Sequence, residues 1–451
     1  MITARVFSDK KFAVLGLARS GMAVVESLLA SGAQVTAWDR QDGPRKKLEG
    51  RAQIADPMEI DLDGYFGVVM SPGVPLNTHP LAAKAREAGV PLIGDIELFA
   101  MARAELPSHK VVGITGTNGK STTTALVHHL LSEAGVAARM GGNIGLPILG
   151  SEPLPEGGVY VLELSSYQID LTHTLACDAA ALTNITPDHL DRYEGFADYA
   201  FSKGRLFAMQ EDDQFAVFGC EDDPTRTVQK VEAARRPDGR AICLTTVQLA
   251  RFQKDWPSLQ GPHNLQNAGI AAALTRELGL TDKQILSGLA SFKGLPHRME
   301  LLGTFGGVTI INDSKATNPA STAPALAAFP PNPKPRIHWI CGGLPKEDNL
   351  DDCAPYFGNV AAAYTIGEAG PMFGEILRPH MKVEDCELLF EATTRALAAA
   401  KPGEVVMLSP ACASFDQFRD YELRSKIFRD IVSQLTGEKL TTSGFAARSA
   451  A

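Results

Sequence analysis

VVGITGTNGKSTTTALVHHLL, Val111 to Leu131, sets an apolar run directly before a glycine loop and an apolar-spaced segment directly after it. The run reads as a strand, the loop as a turn and the segment as a helix, the order in which a parallel sheet feeds a phosphate site. The common phosphate loop is written G-x-x-x-x-G-K-[ST]. Gly119, Lys120 and Ser121 supply its second half, but Ile114 stands where the first glycine belongs, and glycines sit at Gly113 and Gly116 instead. Backbone N–H groups of such a loop and the helix N-terminus behind it would cradle phosphates, with Lys120 as a point charge and Ser121 as a magnesium ligand.

Open parallel sheets bind ligands beyond the carboxyl ends of their strands, and that rule selects further candidates. VYVLELSSYQ is almost wholly apolar yet holds Glu163 between Leu162 and Leu164. A carboxylate there needs a partner: magnesium on bound phosphates, a helix end or an arginine. LTNITPDHLDRY brings His189 to the same edge, whereas Lys203 in DYAFSKGRLF reads by itself as an ordinary helix lysine.

Upstream, residues 11–39 read as strand, glycine turn, helix and second strand ending at Asp39. The turn GLARSG, Gly16 to Gly21, is a weakened dinucleotide fingerprint, and Asp39 lies near the spacing that holds a ribose in such folds, which leaves NAD open as an alternative. The polar, proline-containing RAELPSH marks a first boundary at 107/108. After LPHRME come four more strand-like runs, GVTIINDS, RIHWICGG, AAYTIG and EVVMLSPA, and the tail beyond Gly437 has little to bury.

A chain of 451 residues is too long for one core. Its 45% hydrophobic and 21% charged composition is that of a globular protein without a membrane span. The opening residues pass straight into a strand-like run, so the expected compartment is the cytoplasm. A formal net charge of -9 lacks the basic surplus of a nucleic-acid binder. Seven cysteines, Cys177, Cys220, Cys243, Cys341, Cys353, Cys386 and Cys412, form no C-x-x-C pair and read as mostly buried free thiols.

Together, GTNGKS at 116–121, GNIG at 142–145, LELSSYQ, NITPDHLDRY, GPHNLQN at 261–267, LPHRME, INDSKATNP and LSPACASFDQF resemble the Mur ligase family across nearly the whole chain. NDSKATN and SPACASFDQF resemble the branch that joins D-glutamate to UDP-N-acetylmuramoyl-L-alanine, and the D-N-P-R motif of the diaminopimelate- or lysine-adding branch is absent. The resemblance implies an α/β protein of three domains: a Rossmann-like UDP-sugar domain at 1–107, a central P-loop ATPase with a mainly parallel sheet at 108–297, and a Rossmann-like amino-acid-binding domain at 298–451. It also implies ATP-driven amide formation with magnesium; a monomer is expected. A different ligase of the superfamily, or a nucleotide switch without turnover, are the competing readings.

Residue by residue, the resemblance assigns Gly116, Thr117, Asn118, Gly119, Lys120, Ser121 and Thr122 to ATP. Asn264 and Asn267 join them at adenine, Arg298 at the phosphates and Asp313 at the ribose, with Lys315 nearby. Ser121, Glu163, His189 and a carbamylated Lys203 would hold magnesium; Lys120, Glu163, His189 and Lys203 form the catalytic group. Ser20, Asp39, Arg40, Ser71, Gly73, Asn143 and His189 match UDP-sugar positions, and Thr317, Lys346, Ser414, Phe415 and Tyr421 match D-glutamate positions.

Overall fold

The structure, a computed structural model, describes residues 1–188 and 192–440. These form three sheets. In the first, β1 (Lys11–Leu15), β2 (Gln34–Trp38), β3 (Gln53–Ile54), β4 (Gly67–Met70) and β5 (Leu92–Ile93) lie in the order β3-β2-β1-β4-β5, all parallel. The second holds β6 (His109–Thr115), β7 (Ala138–Gly142), β8 (Gly158–Glu163), β9 (Ala179–Leu182), β10 (Phe215–Phe218) and β11 (Ala241–Cys243) in the order β11-β10-β9-β6-β8-β7, again all parallel. Apolar runs flanked by helical segments predict this, because each parallel crossover covers a sheet face.

The third sheet contains β12 (Glu300–Phe305), β13 (Val308–Asn312), β14 (Ile337–Gly342), β15 (Val360–Ile366), β16 (Lys382–Glu387) and β17 (Val405–Leu408), ordered β12-β13-β17-β14-β15-β16. Only the β12–β13 hairpin is antiparallel; its turn is Gly306-Gly307, both with positive φ, as a tight reversal requires.

The chain divides into two compact units. One comprises Met1–Thr245 and Gln266–Gly288, the other Thr246–Leu265 and Leu289–Ala451. The first two sheets share the first unit because one core runs through both: Phe12 and Val14 of β1 belong to the same apolar cluster as Tyr160 and Leu162 of β8. The helix Asp95–Ala102 is the link, with Ile96, Leu98, Phe99 and Ala102 all fully buried and the Phe99 ring 5.0 Å from that of Tyr160. Asp95 and Glu97 of the same helix are buried as well, so it is enclosed by the core rather than laid on its surface.

The cysteine reading needs one correction. Cys220, just past β10, and Cys243, at the end of β11, form a disulfide. Parallel pairing of these strands aligns Phe218 with Cys243, which brings two thiols 23 residues apart in sequence side by side. The other five are buried free thiols, as expected.

Candidate active site

The phosphate loop leaves β6 at Thr115 and enters the helix Lys120–Glu133 through Gly119. Gly116 and Gly119 both have positive φ, and a Cβ on either would collide, with Thr183 Oγ1 and Asn267 Oδ1 respectively. These two glycines are therefore set by backbone twist and by close neighbours at once. The loop is pinned to the segment after β9: Thr117 N–H donates to Asn184 O at 2.9 Å, Asn118 N–H to Asn184 Oδ1 at 2.9 Å, and Thr183 Oγ1 to Asn118 O at 2.6 Å. Thr123, on the first turn but one, donates to Asn267 Oδ1 at 3.2 Å.

Two lysines meet at this loop. Lys120 Nζ donates to Gly116 O at 2.8 Å and to Thr117 O at 2.7 Å, and Lys203 Nζ donates to the same Gly116 O at 2.9 Å. Lys203 is 1% exposed, with Nζ 4.4 Å from the centre of the Tyr199 ring. Burial first, and the neighbouring Lys120 second, push its amine well below the ordinary lysine range. The ordinary helix lysine read from the sequence is thus a buried amine at the phosphate loop, biased to its neutral, nucleophilic form.

Glu163 ends β8, opposite Ile114 of β6 in register. It is 2% exposed; Oε1 accepts from Asn143 Nδ2 at 2.8 Å, while Oε2 is buried without a hydrogen-bond partner among the described residues. Among the described residues no arginine or helix end takes it up. An orphaned carboxylate oxygen one strand from a phosphate loop fits a hard divalent cation with oxygen ligands. Ser121 occupies the first turn of the loop's helix. His189, expected to complete this group, lies outside the described residues.

Of the UDP-sugar candidates, Asp39, Arg40, Ser71 and Gly73 follow the carboxyl ends of strands in the first sheet. Asp39 closes on its own turn: Oδ2 accepts from Leu17 N–H at 2.6 Å and Oδ1 from Gln41 N–H at 2.9 Å, while Arg40 beside it is exposed. Ser20 opens the helix Arg19–Ala30, and Ser71 N–H donates to Leu15 O at 3.0 Å against Gly16. Gly73 O accepts from Arg192 at 3.0 Å, and Arg192 also lies over the Tyr167 ring at 4.6 Å. Asn143, held by its N–H to Glu163 O at 2.8 Å, connects this set to the carboxylate.

The second unit carries the remaining candidates. Asn264 is buried and donates to Gln260 O at 3.1 Å. Asp313 follows β13; Oδ1 accepts from Met299 N–H at 3.0 Å, Oδ2 from Ser409 Oγ at 2.7 Å, and burial pushes its carboxyl up to about 7. Arg298 is exposed, and Lys315 Nζ lies 5.3 Å from the centre of the Tyr421 ring. Lys346 Nζ donates to Thr317 Oγ1 at 3.2 Å; Ser414 is buried and Phe415 is 69% exposed.

Sequence reasoning missed Arg424. Fully buried on the helix Tyr421–Thr436, it donates to Ser314 Oγ and O, at 3.1 and 2.8 Å, and to Ala413 and Cys412 carbonyls at 3.1 and 3.0 Å. It ties the turn before Lys315 to the turn before Ser414. Nothing in YELRSKIF separates it from a surface arginine, since its partners are a serine hydroxyl and backbone carbonyls of distant loops.

The Mur ligase middle-domain model matches residues 114–275, and the Mur ligase glutamate ligase domain model matches residues 297–412. A curated UDP-N-acetylmuramoylalanine–D-glutamate ligase of Novosphingobium aromaticivorans is 64% identical over 439 residues, covering 97% of this chain and 98% of that one. One of the same name from Sphingopyxis alaskensis is 58% identical, covering 96% of this chain and all of the relative (100%). Among solved structures, a MurF ligase from Thermotoga maritima in complex with ADP superposes with a TM-score of 0.56 at 18% identity, covering 96% and 97% of the two chains, a likeness of fold.

Proposed function

The chain belongs to the Mur ligase family, and from that premise we propose that it is an ATP-dependent ligase that adds D-glutamate to UDP-N-acetylmuramoyl-L-alanine in peptidoglycan precursor synthesis. The observation that carries this reading is the 64% identity, over nearly the full length of both chains, to a relative named for that reaction. A carboxylate does not accept an amine at neutral pH. The γ-phosphoryl of ATP therefore passes to the lactyl-alanine carboxylate, forming a P–O bond as the β,γ-bridge breaks and ADP leaves. The uncharged D-glutamate amine attacks the resulting acyl phosphate, the C–N bond forms, and phosphate departs with the carboxylate oxygen and takes up the proton the nitrogen loses.

The work of the chain in such a transfer is positioning and charge neutralisation. Gly116, Thr117, Asn118, Gly119, Lys120, Ser121 and Thr122 are assigned to the ATP phosphates; Asn267, already against Gly119, is assigned to adenine with Asn264. Arg298 is assigned to the phosphates, Asp313 to the ribose, and Lys315 to their neighbourhood. Ser121, Glu163, His189 and Lys203 would hold magnesium, which when bound neutralises charge on the phosphates. The orphaned Glu163 oxygen supports that assignment, and the depressed Lys203 amine supports carbamylation, since only the free amine adds carbon dioxide. Ser20, Asp39, Arg40, Ser71, Gly73, Asn143 and His189 are assigned to the UDP-sugar, and Thr317, Lys346, Ser414, Phe415 and Tyr421 to D-glutamate. Functional boundaries at 107/108 and 297/298, a cytoplasmic location and a monomer complete the reading.

Phosphate release from ATP, with magnesium and UDP-N-acetylmuramoyl-L-alanine, is expected with D-glutamate and not with L-glutamate, L-alanine or meso-diaminopimelate, with the UDP-dipeptide found by mass. Release with another amino acid instead would move the protein to a sister reaction.

A further inference from the structure

Arg298 projects from a backbone segment flanked by two non-glycine residues in the left-handed region, His297 at φ +67° and Met299 at φ +43°. Such a conformation persists only where its surroundings fix it. Every amide of the segment is held. His297 N–H donates to Glu300 Oε2 at 3.1 Å, Arg298 N–H to Leu295 O at 3.2 Å and Met299 N–H to Asp313 Oδ1 at 3.0 Å, while His297 O accepts from Lys315 N–H at 3.0 Å.

A second layer stands behind that one. Glu300, 1% exposed, receives Arg429 Nη2 on both carboxylate oxygens at 2.7 Å and Asn312 Nδ2 on Oε2 at 3.1 Å. Ser425 Oγ accepts from Asn312 Nδ2 at 2.6 Å and is hydrogen-bonded to His297 Nδ1. Burial holds the His297 ring below its ordinary pKa. Ser425 and Arg429 stand four residues apart on the helix Tyr421–Thr436 and therefore share one face.

We propose that Ser425 and the buried Glu300–Arg429 pair are positioning residues for Arg298: they clamp the strained His297–Met299 turn and thereby aim an exposed guanidinium at nucleotide phosphate. The proposal rests on the assignment of Arg298 to ATP. Neither Ser425 nor Arg429 is assigned to substrate; each acts through the turn.

The test is a double-mutant cycle read by calorimetric titration of the full-length protein with ADP and magnesium. Ser425→Ala, which removes one hydroxyl and leaves the ion pair, is expected to weaken ADP on the order of tenfold, the scale of a slightly misplaced contact. Arg298→Ala is expected to weaken it at least as much, and the double variant no more than Arg298→Ala alone. Should Ser425→Ala fail to fold, Glu300→Gln with Arg429→Met removes both buried charges together and is expected to show the same coupling to Arg298. A folded variant that binds ADP like the wild type, or losses that simply add, overturns the proposal. Wild-type protein that binds ADP but releases no phosphate with D-glutamate removes the ligase reading and leaves this one standing; wild type that binds no ADP removes both.

Discussion

Lys120 and Lys203 donate to one carbonyl oxygen, that of Gly116. Burial, and after it the charge of Lys120, drives the Lys203 amine well below the ordinary lysine range. Lys120→Ala is expected to lower turnover on the order of a hundredfold or more, as loss of a preorganised charge does, with little change in thermal melting. Phosphate release and circular dichroism on the same sample check this, and an active, normally folded variant would end the loop assignment. Lys120 was legible in the sequence because spacing alone marks it. Lys203 was not, since FADYAFSKGRLFA has the pattern of a surface helix and its burial depends on the phosphate loop folding over it. Arg424 was invisible for a related cause: carbonyl partners leave no mark in a sequence.

Among the elements, the helix Asp95–Ala102 has a titration consequence. Burial pushes the Asp95 carboxyl up to about 6, from an unfolded value of 3.8. Between those values the folded chain holds a proton that the unfolded chain has released, so this residue makes stability fall as pH rises from about 4 to about 6. Asp95→Asn is expected to remove that slope and to stabilise the protein at pH 7 by up to about 3 kcal/mol, the value of a two-unit shift. Urea melts at pH 4, 5, 6 and 7 measure it, and a slope unchanged in the variant would contradict the argument. The strands were legible as elements; their neighbours were not. Periodicity reports which residues are apolar, but the order β11-β10-β9-β6-β8-β7 comes from crossovers, and only that order pairs Cys220 with Cys243.

Three sheets were readable from strand–helix alternation, but two of them share one core, because the all-round burial of Asp95–Ala102 is a property of what surrounds that helix. The first unit also takes Gln266–Gly288 from beyond an excursion of the chain. Within it, Gln266 Nε2 donates to Gly219 O at 3.0 Å, and Asn267 meets Gly119 and Thr123. A fragment of residues 1–245 lacks these contacts and is expected to melt at lower temperature and less cooperatively than 1–288; equal melts would show that the returning helix is dispensable. The loop that ends at Lys120 also bears on the folded state as a whole. A nucleotide that settles on the loop binds the native fold and not the unfolded chain, so it acts as a folding ligand as well as a reagent. The cell's adenylate pool would then govern how long the protein lasts as well as how fast it works.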